Sequence, residues 1–263
     1  MATTSFSLEK TYADCIDRDG NCFILYDASL QVFFIRVHYA SMLFSDATNK
    51  VIERRSTRKS VLSNQLALFS FKHERLKISG VWRGIAKPEI LELLCYSPQH
   101  ALVWHCLHPK ALTEIGFNGI EIRGWGYAET IRLTLQPWKL PIDQLLWGRF
   151  LSVTDTVTWI NWSGSHPLNK LFHNGILYED ATFETDKLVF NKGLMMLVFT
   201  DGSVIRKGKL SEVLSGWSWL KLFFRQSILQ SEEYKYKAMG CLSVGEQVLS
   251  TGWTIYEKVL WHK

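Results

Sequence analysis

Glu129 stands four residues after Trp125 in the run Gly124-Trp125-Gly126-Tyr127-Ala128-Glu129. The same arrangement returns half a chain later as Gly252-Trp253-Thr254-Ile255-Tyr256-Glu257. Side chains alternate between faces along a strand, so Trp125, Tyr127, Glu129, Ile131 and Leu133 share one side. If that side is the inner one, the Glu129 carboxyl is desolvated, which disfavours its charged form and raises its pKa. A carboxylic acid that keeps its proton near neutrality can act as a general acid. The competing expectation is a structural ion pair between Glu129 and a cation such as Arg149. In the second copy Trp253, Ile255, Glu257, Val259 and Trp261 share a face, which makes Glu257 a second candidate on a terminal strand.

Other residues join these by pattern. Trp147, Arg149 and Leu151 alternate together, so Arg149 is expected to stack on an aromatic, hold a carboxylate or bind an anionic ligand. In Trp104-His105-Cys106, alternation sends His105 and Cys106 to opposite faces, and a metal site there lacks a third ligand. His105 is then a satisfied core residue, a polar group of the cavity wall or a proton carrier. His38-Tyr39 is a further polar pair in an apolar run. The expected catalytic set is Glu129, His105 and Tyr127; Trp125, Trp147, Arg149, Trp162, Trp104 and Glu257 are expected to contact substrate. The chain has no phosphate-cradling Gly-rich loop, no Gly-x-Ser-x-Gly elbow and no Cys or His set at zinc spacing, which excludes nucleotide-dependent and serine-hydrolase chemistry.

The elements that would position these residues read as strands. Asn118-Gly119, Asn174-Gly175 and Asp201-Gly202 each separate two β-patterned runs, as tight hairpins require. Further strands are expected at 31–40, 65–71, 76–81, 90–96, 101–107, 126–135, 146–152, 156–162, 182–190, 235–243 and 247–261. Ser211 reads as an N-cap before Val213, Leu214, Trp217 and Leu220 at helical spacing, so one short helix is expected. Pro137 and Pro141 mark 136–144 as a linker near the midpoint. The expected architecture is all-β, with two tandem antiparallel barrels of the ligand-holding kind at 1–140 and 145–263.

Composition sets the outer bounds. The chain has 263 residues, 47% hydrophobic, 21% charged and 13% aromatic, with 11 Trp. That much Trp points to bulky β-cores or to an aromatic-lined cavity. The net charge of +5 is dispersed. Its one cluster, Arg54-Arg55 with Arg58-Lys59, reads as a solvated loop, so nucleic acid is not an expected partner. No apolar run reaches bilayer length, and the N-terminus lacks the features of a signal peptide. Five Cys without metal spacing fit buried thiols of a reduced cytoplasmic protein. A monomer or homodimer is expected.

The Gly-Trp-Gly-Tyr-Ala-Glu run, Pro137-Trp138-Lys139-Leu140-Pro141-Ile142, Leu146-Trp147-Gly148-Arg149-Phe150 and the closing Gly-Trp-Thr-Ile-Tyr-Glu run together resemble a lipocalin-like superfamily. It comprises carotenoid hydratases (hydroxyneurosporene synthases), AttH-like proteins and lipocalin-type cyclases. The resemblance spans roughly 101–177 and 235–261. It implies two lipocalin-like barrel domains enclosing an apolar cavity between or within them. It also implies cofactor-free cyclase, isomerase or hydratase chemistry on a polyene or terpenoid, with no metal. A non-catalytic carrier of a lipophilic ligand is the alternative.

Overall fold

The computed structural model describes residues 6–65, 67–86, 90–97, 100–213, 221 and 224–262. The chain forms two compact units, Met1–Gln136 and Pro137–Lys263. The first contains β1 (Phe6–Ile16), β2 (Cys22–Val32), β3 (Ile35–Ser45), β4 (Val51–Ser56), β5 (Val61–Gln65), β6 (Leu68–His73), β7 (Ile78–Gly84), β8 (Ile90–Ser97), β9 (His100–Phe117) and β10 (Ile120–Leu133). They form one curled antiparallel sheet in the order β4-β3-β2-β1-β10-β9-β7-β6-β5, with β8 also paired to β9.

The second unit opens on a 3-10 turn at Pro137–Lys139 and continues with β11 (Gln144–Ser152), β12 (Thr156–Ser163), β13 (Leu168–His173) and β14 (Ile176–Tyr178). Then come β15 (Thr182–Phe183), β16 (Lys187–Phe190), β17 (Met195–Lys209), α1 (Leu210–Val213), α2 (Gln226–Leu229), β18 (Glu232–Val244) and β19 (Gln247–Leu260). Its sheet order is β14-β13-β12-β11-β19-β18-β17-β16-β15. β11 to β14 thus stand where β1 to β4 stand in the first unit, and β19 stands where β10 does. The fold is all-β, two tandem lipocalin-like half-barrels with short helices.

Each curled sheet closes over its own core. In the first, small inward residues Ala13, Cys15, Ala111 and Ala128 leave room for Phe23, Phe69, Phe71, Trp82 and Phe117. Inward space is tight enough that a side chain on Gly126 would collide with Trp82 and Thr113. The second core gathers Phe150, Val157, Trp159, Leu171, Phe190 and Leu242. Beside it runs a ladder of near-parallel rings, Trp159 on Phe199 on Tyr256 on Tyr236, with centroids 4.8–5.9 Å apart. The flat faces exclude water from the middle of the sheet.

The Asn118-Gly119 and Asn174-Gly175 hairpins form, with φ of 49° and 81° in the first and 49° and 82° in the second. Asp201-Gly202 does not turn the chain. Asp201 takes φ 54°, but the pair sits inside β17 as a bulge where the β17–β18 register shifts. An extra residue placed out of register uses the same left-handed conformation that a turn would. The strand expected at 31–40 is instead a hairpin, because β2 and β3 pair from Val32 and Ile35 across Phe33-Phe34. The strand expected at 182–190 is likewise a hairpin of β15 and β16. Arg54 and Arg55 lie on β4 rather than in a loop, Arg55 being paired with Glu53 at 2.9 Å. α1 starts at Leu210, so Ser211 is inside it rather than capping it; Leu214, Trp217 and Leu220 lie outside the described residues.

Candidate active site

The alternation expected along β10 holds. β1 pairs with it so that Tyr12 faces Glu129, Ala13 faces Ala128 and Asp14 faces Tyr127. Ala13 and Ala128 belong to the core of the unit, so Tyr12, Asp14, Tyr127 and Glu129 occupy the opposite face of the sheet. Glu129 is therefore buried without looking into the core of the first half-barrel. The physical reason is volume: the interior is filled by Trp82 and the Phe cluster, and only Gly126 and Ala128 of this strand segment fit under them.

That opposite face is dry. Glu129 is 3% exposed and Tyr127 and Asp14 are fully buried. Glu129 Oε2 accepts hydrogen bonds from Trp104 Nε1 at 2.5 Å and from the Tyr127 hydroxyl at 2.6 Å. Burial pushes the Tyr127 phenol well above its ordinary range, and the neighbouring Cys106 and Glu129 push it further, so it stays an O–H donor. A parallel arrangement lies on the adjacent strand, where the Tyr12 hydroxyl donates to Asp14 Oδ2 at 2.8 Å. The Tyr12 and Tyr127 rings meet edge to face at 6.1 Å. Each Tyr thus holds the carboxyl two residues further along its own strand. Because the strands are antiparallel, the two acids stand on one face as diagonal neighbours.

The remaining expected residues divide between the two units. Trp125 is partly buried on the Glu129 side, with Lys110 Nζ 4.5 Å above its ring. His105 pairs in register with Thr130, whereas Cys106 pairs with Glu129. His105, expected in the catalytic set, therefore points away from Glu129, and Cys106 is the neighbour instead. Trp104, expected only as a wall residue, is a hydrogen-bond donor to Glu129. In the second unit, Glu257 faces Trp147 on β11 and Lys235 on β18. Lys235 is wholly buried and bridges Glu257 to Glu233, the latter at 2.7 Å. Arg149, also wholly buried, donates to the Trp253 carbonyl at 3.0 Å. Trp162 is buried and donates to the His166 carbonyl at 2.7 Å, which closes a turn.

A cavity of about 610 Å³ opens on the core side of the first sheet, lined on β1 by Ser7, Glu9 and Thr11. Among the described residues no Trp, Tyr or Phe lines it, and charged, amide and hydroxyl side chains predominate. Tyr12 and Asp14 escape a reading of sequence alone. Their only signal is the Tyr-x-Asp spacing at 12–14, which matches Tyr127-x-Glu129.

No family model and no curated protein matches the sequence. Solved structures do match in shape. The crystal structure of CghA with Sch210972 superposes with a TM-score of 0.69 at 10% identity, over 98% of this chain and 89% of that one. Kievitone hydratase from Nectria haematococca gives a TM-score of 0.58 at 9% identity, over 99% and 92%. An AttH-like protein from Nitrosomonas europaea gives 0.53 at 8% identity, over 98% and 93%. The chain has the tandem lipocalin-like fold of these proteins.

Proposed function

We propose that the chain is an enzyme, a cyclase or isomerase (or a hydratase), acting on a hydrophobic polyene or terpenoid by proton transfer from Glu129. The observation that carries this reading is a carboxyl 3% exposed whose Oε2 accepts hydrogen bonds from the Trp104 indole and the Tyr127 hydroxyl. Trp104 and Tyr127 fix the acid's position, and their rings supply π-faces for cationic charge. Glu129 would give its proton to one carbon of a C=C bond, leaving a carbocation at the other. Attack by a second C=C bond closes a ring, and loss of a proton from the adjacent carbon restores neutrality. Asp14, on the same face, would accept that proton. Kievitone hydratase, by its name an enzyme of related shape, lends the catalytic reading support. No cofactor is invoked.

A carrier function is the second reading, favoured by the two donors that already tether Glu129 Oε2. One experiment separates them. Wild type and Glu129→Gln are incubated with squalene and geranylgeraniol, and the extracts are analysed by mass spectrometry. Catalysis predicts a new isomeric or hydrated product with wild type and at least about a hundredfold less with the variant, at unchanged thermal stability. Ligand recovered unaltered from both proteins would favour the carrier. Full turnover by Glu129→Gln removes the mechanism.

A further inference from the structure

The polar cavity of the first unit has a construction of its own, on the face of the sheet away from Glu129. Along β2 the core residues Phe23 and Leu25 are succeeded on the same face by Asp27, Ser29 and Gln31, and along β3 Met42 and Ala40 give way to His38 and Arg36. The interior is thus apolar at one end and chemically dense at the other. Asp27 is only 7% exposed, and its one partner among the described residues is the Ser60 backbone N–H at 3.0 Å. A buried carboxylate with a single donor is poorly compensated. Ser60 is 3% exposed, yet its hydroxyl has no hydrogen-bond partner among the described residues. His38 Nδ1 is buried and equally unpartnered among them. His38 stands opposite Ser29 on the neighbouring strand, diagonal to Asp27. All three groups line the same cavity of about 610 Å³.

We infer that this cavity binds a small zwitterion of amino-acid or dipeptide type, its ammonium group held by Asp27, Ser60 and His38. An ammonium carries three N–H donors and no acceptor. Asp27 supplies a charged acceptor, and Ser60 Oγ and the unprotonated His38 Nδ1 supply two neutral ones. A bare amine is disfavoured because Arg36 and Lys59 also line the cavity. Arg36 is steadied by Gln31 Oε1 at 2.8 Å and keeps further donors for an anion. The two cations match the ligand's carboxylate as the inner groups match its ammonium. This site owes nothing to the Glu129 reaction and stands or falls without it.

The test uses the full chain and a set of probes: the free L-amino acids, glycylglycine, N-acetylglycine, n-butylamine and acetate. Binding is followed by saturation-transfer NMR and thermal shift. Saturable binding by at least one zwitterion is expected, weakened tenfold or more when its amine is acetylated. Asp27→Asn should cause a similar tenfold loss, and Ser60→Ala a smaller one. Equal binding of the acetylated form, binding indifferent to Asp27→Asn in a folded variant, or no saturable binding by any zwitterion overturns the proposal. The acetylation comparison needs no variant, so it decides the matter even if Asp27→Asn misfolds.

Discussion

Three carboxyl groups withdrawn from solvent show how differently one functional group is handled by its neighbours. Glu129 accepts from an indole and a phenol, Glu257 from the ammonium of Lys235, and Asp155 from a histidine and a hydroxyl. For Asp155, burial pushes the pKa up, but hydrogen bonds from Thr154 Oγ1 at 2.7 Å and His173 Nε2 at 2.9 Å outweigh it and bring the value down to about 2. A folded-state pKa below the ordinary 3.8 means the unfolded chain binds the proton more readily. The stabilisation is therefore complete above about pH 4 and disappears as pH falls toward about 2. Asp155→Asn is expected to cost on the order of 1 kcal/mol near neutrality, given partial solvent screening. Urea denaturation across that pH range should show wild type and variant converging in acid. A gap that stays constant with pH would assign the effect to packing instead.

At the scale of the element, the repeated Gly-Trp run has a steric cause. A methyl group on Gly124 would lie 2.0 Å from the Ile16 carbonyl oxygen, and one on Gly252 would lie 2.1 Å from that of Leu151. Ile16 and Leu151 occupy matching places near the ends of β1 and β11, each in register with the Trp that follows its glycine. The last strand of each unit presses backbone to backbone against the first, and only glycine permits it. Gly124→Ala and Gly252→Ala should each destabilise by about 1–3 kcal/mol, since the obstacle is main chain that cannot swing aside. Gly116→Ala, whose nearest atom would be Ser79 Oγ at 3.9 Å, is the control and should change stability little. Thermal melts that rank the control with the other two would refute this account. The repeat was legible in the sequence, but the carbonyl opposite each glycine was not, because it comes from a strand more than a hundred residues away. The same limit hid the site's partners. Alternation alone put Tyr127 and Glu129 on one side, but Trp104 and Tyr12 arrive only through the β9–β10 and β1–β10 registers. Local turn chemistry misled twice. Asp201-Gly202 has hairpin residues inside a bulge, whereas Phe33, at φ 53°, makes a tight turn with none of the usual turn residues.

Across the whole molecule, one strand order was used twice and then given different chemistry. β10 and β19 hold equivalent places, and Glu129 and Glu257 follow their glycines by the same five positions, both facing away from the core of their unit. In the second unit a wholly buried Lys235 sits between Glu257 and Glu233, and Arg206 approaches Glu233 at 3.8 Å. A carboxylate held by a buried ammonium is committed to structure, because giving up its charge would strand the cation. In the first unit Cys106 takes the place across from the acid that Lys235 takes in the second, and Trp104 and Tyr127 are among the groups that donate to Glu129. The two acids should then fail in opposite ways when changed to Gln. Glu257→Gln is expected to lower stability by roughly 2 kcal/mol, less than full loss of a buried pair because Glu233 still partners Lys235, while turnover per folded molecule persists. Glu129→Gln is expected to leave the melting temperature nearly unchanged and remove turnover. Calorimetry and product analysis on both variants test the division directly: equal loss of activity from both, or equal loss of stability, would mean that the duplicated acids never parted in role.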